Sequence, residues 1–193
     1  MDGIRTSKTV GNLTSEYFLE GSTVISEKRS DGIRLEYFFD GEGTRIGFYA
    51  IGIFSLDDPA AYVFYYVYNL QGDVIAITNN TGAIIAKYTY DAYGKPLGVT
   101  DANGNDISGN PTYVSNLNPF RYRGYFYDVD TGLYYLNSRY YDANTGRFIN
   151  ADGFASTGQG VVGNNMFVYC GYNPVNNFDA TGKRYVKNDG GES

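Results

Sequence analysis

Apolar and polar side chains alternate over short runs of this chain, and each run stops at a turn sequence. The alternation is explicit in Tyr88-Thr89-Tyr90, because residues two apart in a strand point to the same face of a sheet. Runs at 62–69, 73–78, 83–90 and 95–99 predict consecutive strands that are separated by Gly or Asn. The pattern therefore predicts an all-β fold of consecutive antiparallel β-hairpins.

One sequence unit recurs along the chain, an aromatic residue followed by Asp, with Gly three or four residues after the Asp. Asp can hydrogen-bond to its own turn, and Gly can adopt the left-handed conformation that the turn requires. Each unit therefore predicts a strand, a turn and a strand. Tyr68-Asn69 with Gly72 is a variant of it. The predicted turn residues are Asp40, Gly43, Asp91, Gly94, Asp128, Gly132, Asp142 and Gly146.

Composition supports the same fold class. The 21 Tyr and 12 Phe residues supply much of the apolar area as rings, which suit a pleated, half-buried surface. The 25 Gly beside 5 Pro indicate many tight turns, since Gly adopts positive φ without steric cost.

Charge and the missing histidines limit the chemistry. A net charge of −6 opposes binding to a phosphate backbone, so no nucleic-acid partner is expected. With no His and a single Cys, the usual zinc ligand sets and the Ser-His-Asp and Cys-His pairs are missing, so we expect no metal site and no cofactor. Cys170 is expected to be a small core residue. The chain shows neither a signal-peptide pattern nor the ~18 apolar residues of a membrane span.

The domain organisation follows the density of these patterns. Residues 1–118 are predicted to form repeat hairpins, with an irregular loop at 100–118 that connects two groups of strands. The segment 119–184 begins with the densest aromatic block and is expected to end in a short irregular or helical C-terminal plug, with residues 165–171 as the candidate helix. Residues 185–193 are polar and are predicted to be a disordered tail.

Long sequence runs resemble a known family. Residues 120–128, 131–142 and 145–149 read FRYRGYFYD, TGLYYLNSRYYD and TGRFI, and they resemble the RHS repeat-associated core. The upstream hairpins, including residues 88–94, resemble the YD repeats that precede this core. The resemblance implies a spiral of β-hairpins that forms part of a hollow shell, with the core near its end.

The resemblance also implies a function. In such bacterial proteins the shell encloses a C-terminal toxin or effector, and secretion or cell-surface display is the usual setting. The chain is therefore expected to be a structural encapsulating or presenting module. Its expected partners are the other RHS repeats of the parent chain and an enclosed C-terminal effector.

Self-cleavage is the enzymatic alternative that the resemblance implies. In some members the core ends in Asp-Pro-x-Gly-Leu, and an upstream Asp completes an aspartyl-protease-like pair. Asp179 and Asp152 match these positions, and two close carboxyl groups can share a proton. Ala180 replaces the motif's Pro and Lys183 its Leu, so the motif is imperfect. We favour the alternative that both aspartates are turn or cap residues.

Two binding alternatives remain. Residues 101–106 offer oxygen side chains for calcium, but Asp106 and Thr112 stand where an EF-hand requires Gly and Glu, so a turn-rich loop is favoured. Tyrosine rings such as Tyr134 and Tyr135 could stack on cell-surface carbohydrate. The favoured alternative is that the rings form cross-strand ladders, at roughly 0.2–1 kcal/mol per pair.

Overall fold

The structure, a computed structural model, describes residues 4–53, 62–110, 113–151, 165–179, 181–183 and 185–187. Within these ranges the chain is all-β, as predicted, and it consists of consecutive antiparallel hairpins. None of the helices in the described part of the chain is long and apolar enough to cross a membrane.

The first sheet has nine strands that follow one another in chain order. Its strands are β1 (Ser7–Val10), β2 (Leu13–Glu20), β3 (Thr23–Arg29), β4 (Arg34–Phe39), β5 (Arg45–Ile51), β6 (Tyr62–Tyr68), β7 (Val74–Asn79), β8 (Ile84–Tyr90) and β9 (Pro96–Thr100).

Among the described residues, two smaller sheets and three short helical turns follow. The second sheet contains β10 (Phe126–Asp128), β11 (Leu133–Leu136), β12 (Arg139–Asp142) and β13 (Arg147–Phe148). The third sheet pairs β14 (Asn177–Phe178) with β15 (Val186–Lys187). The helical turns are α1 (Val114–Leu117) and two 3-10 turns, Tyr122–Gly124 and Cys170–Tyr172.

The strands predicted between residues 62 and 99 are confirmed as β6 to β9, with ends that differ by one residue. The connecting loop predicted at 100–118 is more ordered than expected. It contains a bridge between Thr100 and Asp106 and the short helix α1.

The helical alternative for residues 165–171 is wrong. Val168 instead forms a β-bridge with Arg147, and the chain then makes the 3-10 turn Cys170–Tyr172. Cys170, Gly171 and Tyr172 have φ values of +50°, +59° and +64°. Three successive left-handed residues cannot belong to a right-handed helix.

The predicted disordered tail is wrong at its start. Val186 pairs with Phe178, and Lys187 pairs with Asn177. These pairings supply partners for backbone groups that a frayed tail would leave to water. Residues 188–193 lie outside the described residues.

The chain divides into two compact units. The first contains residues 1–67, 75–87 and 99–117, and the second contains 68–74, 88–98 and 118–193. In the first unit, Tyr37 lies opposite Phe48, and Phe48 lies opposite Phe64. All three rings are buried on one face of the sheet, as the alternating pattern requires.

The second unit has its own aromatic core. Most members of this buried cluster are tyrosines: Tyr122, Tyr125, Tyr134, Leu136, Tyr141, Ala143, Phe148, Tyr169 and Cys170. Four of the tyrosine rings come from one continuous stretch of the sequence, residues 122–141, so the dense aromatic block is the interior of this unit.

Candidate functional site

The predicted turn residues Asp40 and Asp91 have the same local geometry. The Oδ1 atom of Asp91 accepts hydrogen bonds from the backbone N–H groups of Tyr93 (2.8 Å) and Lys95 (2.9 Å). The Oδ1 atom of Asp40 likewise accepts hydrogen bonds from the backbone N–H groups of Glu42 (2.9 Å) and Thr44 (2.8 Å). Gly43 and Gly94 have φ values of +85° and +86°, where a Cβ would be strained.

Three further turns share this pattern of hydrogen bonds. We call all five repeat turns. In each, the first residue accepts side-chain hydrogen bonds from the N–H groups two and four residues later, and its carbonyl oxygen accepts one from the Gly three residues later. The repeat turns begin at Asp40, Asn69, Asn79, Asp91 and Asp101.

Two of these turns fall outside the recurring sequence unit, although residues 79–82 were predicted to separate two strands. The unit requires an aromatic residue before the Asp, whereas Thr78 and Thr100 precede Asn79 and Asp101. The spacing Asx-x-x-Gly alone would have found both. The calcium alternative concerned the Asp101 turn, where Oδ1 accepts hydrogen bonds from Asn103 and Asn105.

Asp128 and Asp142 begin turns that are one residue longer. The Gly132 N–H donates to the carbonyl oxygen of Asp128 at 2.8 Å. The Oδ1 atom of Asp142 accepts from the N–H of Asn144 at 2.9 Å. Gly132 and Gly146 both have positive φ, +70° and +66°. The turns of the second sheet therefore differ from the repeat turns in length but not in their need for Gly.

Asp179 is nearly completely buried, with 2% of its surface exposed. Its Oδ1 atom accepts hydrogen bonds from the N–H groups of Thr181 (3.2 Å), Gly182 (2.8 Å) and Lys183 (3.2 Å). Its Oδ2 atom lies 3.2 Å from Nη2 of Arg139. The carboxyl group therefore caps the backbone of the loop that follows it.

Arg139 connects this loop to the second sheet. Its guanidinium donates hydrogen bonds to the carbonyl oxygens of Gly182 and Met166, and it lies 3.5 Å from the centre of the Phe148 ring. Burial raises the pKa of Asp179, while the Arg139 charge and the backbone N–H groups act in the opposite direction. Burial is the larger effect.

The predicted carboxyl pair is only half described. Asp152 and Ala180 lie outside the described residues. A carboxyl group with a raised pKa can hold a proton, as one member of an aspartyl pair must. The contacts of Asp179 with Arg139 and with the loop backbone are also those of a structural cap, the reading favoured from the sequence.

The remaining candidate residues, Cys170, Tyr134 and Tyr135, are buried. Burial raises the pKa of the Cys170 thiol to about 12, so the thiol is protonated at neutral pH and is a poor nucleophile. Tyr134 and Tyr135 are 0% and 8% exposed, so their rings are not available for stacking on a sugar. Tyr134 instead contacts Tyr127 on the neighbouring strand, with ring centres 4.8 Å apart.

This sequence is similar to a repeat family and to several known proteins. Residues 68–106 match the family model described as RHS Repeat. The chain is 34% identical over 183 residues to the tRNA(Glu)-specific nuclease WapA of Bacillus subtilis subsp. natto strain BEST195, covering 93% of this chain and 7% of that protein. It is 31% identical over 123 residues to double-stranded DNA deaminase toxin A of Burkholderia cenocepacia strain H111, covering 64% of this chain and 8% of that protein.

A solved structure shares the fold. The crystal structure of TcdB2-TccC3-Cdc42 matches with a TM-score of 0.67 and 22% identity, over 94% of this chain and 8% of that one. The chain therefore spans less than a tenth of each of these three proteins. It is a structural module related to segments of toxin proteins, and it belongs to the RHS-repeat family.

Proposed function

We propose that this chain forms part of a β-shell that encloses a C-terminal effector polypeptide of the same RHS protein, secreted or displayed on the cell surface. The sheet supports the proposal. Its nine strands follow one another in chain order, so further hairpins of the same kind can extend it at the β1 edge.

The observation that carries the proposal comes from the relatives. One is named a tRNA nuclease and the other a DNA deaminase toxin, yet both contain a segment similar to this one. The segment makes up 7% and 8% of those proteins. A segment that occurs in two proteins with different named activities is better suited to be a shared scaffold than to specify either reaction.

Protease protection in the complete protein that carries this chain tests the proposal. Leu35→Asp places a charge at a fully buried position of the sheet, and Phe18→Asp is the control because Phe18 is 50% exposed. We expect the effector to resist limited proteolysis in the wild type and in Phe18→Asp. We expect it to be digested in Leu35→Asp.

Mass spectrometry of the digests identifies which segments are cut. An effector that is digested at the same rate in all three proteins, while the sheet itself resists the protease, would contradict enclosure. In that case the chain would be a scaffold that displays the effector and does not enclose it.

Self-cleavage after Lys183 is a second candidate. One observation favours it: the Asp179 carboxyl group touches the backbone N–H of Lys183 at 3.2 Å, in the loop where the resemblance expects the cleaved bond. The intact mass of the complete protein tests it. Loss of the segment after Lys183 in the wild type and in the control Asp142→Asn, but not in Asp179→Asn, would establish cleavage. One uncleaved mass in all three would leave Asp179 as a cap.

A further inference from the structure

The repeat turn at Asp91 accepts hydrogen bonds from three buried tyrosines of the second unit. The backbone carbonyl oxygens of three successive turn residues are the acceptors. The pairs are Tyr122 to Ala92 at 3.0 Å, Tyr141 to Tyr93 at 2.7 Å and Tyr134 to Gly94 at 2.7 Å. Since a buried phenol hydroxyl needs a partner, one turn satisfies donors from three different elements.

Ring packing adds a reciprocal contact. A Cβ atom built on Gly94 would lie 2.4 Å from the ring of Tyr122. A Cβ atom built on Gly146 would lie 3.0 Å from the ring of Tyr93. The Gly of the repeat turn thus accommodates a ring from the segment 119–184, and a Gly of that segment accommodates the ring of the repeat turn.

The other repeat turns offer the same backbone but a different surface. The Asn69 turn also accepts a hydrogen bond from this segment, from Arg123 to the carbonyl oxygen of Gln71 at 2.9 Å, but it contributes no ring. At the position of Tyr93 they carry Glu42, Gln71, Thr81 and Asn103. A Cβ atom on Gly43, Gly72, Gly82 or Gly104 would meet no described atom within 4 Å. Backbone acceptors common to all five turns cannot distinguish one turn from another, so selection must come from a side chain.

We propose that the Asp91 turn is the docking site for residues 119–148, the first part of the predicted core, and that Tyr93 selects this turn among the repeat turns. The ring of Tyr93 packs on Gly146, and its hydroxyl lies 3.4 Å from the carbonyl oxygen of Tyr172. This surface therefore fits a pair of tyrosine-rich hairpins in which a turn Gly, Gly146, leaves room for the Tyr93 ring. Docking here fixes which repeat turn receives residues 119–148.

Hydrogen exchange of the full chain, measured by mass spectrometry, tests the proposal. Tyr93→Thr introduces the residue of the Asn79 turn, Tyr93→Phe keeps the ring, and Asn103→Thr is the matched control in the Asp101 turn. We expect Tyr93→Thr to raise exchange in peptides of 122–148 by about tenfold or more, while β2 to β5 stay unchanged. Tyr93→Phe and Asn103→Thr should resemble the wild type.

A second pair of variants approaches the contact from the other side. Gly146→Ala and Gly132→Ala impose similar strain, at φ values of +66° and +70°. Only Gly146 touches the Tyr93 ring, because the nearest atom to a Cβ on Gly132 is the Tyr127 hydroxyl at 3.8 Å. Gly146→Ala should therefore raise exchange at 91–95 as well as locally, whereas Gly132→Ala should act only locally.

Three results would overturn the proposal. One is wild-type exchange at 122–148 in Tyr93→Thr. Another is an equal rise across β2 to β5, which would make Tyr93 a general contributor to stability. If Tyr93→Thr does not fold, the glycine pair decides, and equal exchange at 91–95 in its two variants would reject the selection of this turn.

Discussion

The repeat turns at Asp40 and Asp91 are locally alike, but their surroundings differ. In both, the Asp side chain accepts hydrogen bonds from the N–H groups two and four residues later, and a Gly three residues after the Asp has a φ near +85°. Gly94 touches the ring of Tyr122, whereas a Cβ on Gly43 would meet none of the described atoms within 4 Å. The local sequence thus determines the chain reversal. Tertiary contacts determine whether the turn also binds another segment.

The aromatic residues of the two units show the same contrast. In the first unit, Phe48 and Phe64 are stacked with ring centres 5.3 Å apart. In the second unit, the rings of Tyr134 and Tyr141 also contact each other, with ring centres 6.2 Å apart. Each of their hydroxyls in addition donates a hydrogen bond to a backbone carbonyl oxygen. Ring packing alone connects the first pair, whereas the hydrogen bonds of the second pair require tyrosine hydroxyls.

The largest effect is expected for Asp179→Ala, compared with Asp40→Ala. Both variants remove an Asp that caps a turn, but only Asp179 is buried beside a charged partner, Arg139. Leaving Arg139 buried without its partner should destabilise the protein by about 3–5 kcal/mol. Asp40→Ala should cost about 1 kcal/mol. Urea unfolding measures both, and equal losses would show that the burial of Asp179 is irrelevant.

Gly94→Ala and Gly43→Ala compare the two turns directly. The left-handed backbone should cost each variant about 1–2 kcal/mol. Gly94→Ala should lose about 1–3 kcal/mol more, since the new methyl group overlaps the Tyr122 ring. The difference in unfolding free energy is the measured quantity. Similar values for both variants would remove the distinction between a free turn and a docked turn.

Removing one hydroxyl tests the second contrast. Tyr134→Phe leaves the Gly94 carbonyl oxygen without this buried donor and should cost about 1–3 kcal/mol. Tyr65→Phe, on a ring that is 40% exposed, should change stability by less than about 0.5 kcal/mol. Thermal or urea unfolding of the two variants distinguishes them. A neutral Tyr134→Phe would mean that ring packing alone holds the second unit.

Alkaline pH should weaken the protein gradually. Burial raises the pKa of Tyr88 from 10.0 to about 12, so the folded state retains a proton that the unfolded chain releases first. This contribution to stability is complete below the unfolded pKa and is lost as the pH rises through the folded one. The urea midpoint should therefore fall between pH ~10 and ~12. A constant midpoint across this window would contradict the burial of Tyr88.

The sequence predicted most of the local structure. Alternation and the Asp-x-x-Gly spacing placed β6 to β9 and the Asp40 and Asp91 turns, because both signals depend on residues within one hairpin. The helical alternative for residues 165–171 was wrong, because nothing in the periodicity shows that Cys170 and Tyr172 adopt positive φ.

The contacts of the candidate site could not be predicted in this way. The hydroxyl of Tyr122 bonds to Ala92, 30 residues away, and Arg139 meets Asp179 40 residues later. Such pairs depend on how hairpins pack together, whereas periodicity reports only which face of a strand is buried. Asp179 itself was found through the family resemblance, and its cap geometry came only from the structure.

Disulfide mapping tests the central claim, that consecutive hairpins pair in chain order. In a Cys170→Ala background, Glu36→Cys with Tyr49→Cys places thiols on directly opposed residues of β4 and β5. Glu36→Cys with Val63→Cys places them two strands apart, roughly 10 Å, which is too far for a disulfide. The account predicts oxidation of the first pair to a crosslink and no crosslink in the second. Efficient crosslinking of Glu36→Cys with Val63→Cys, and none with Tyr49→Cys, would contradict it.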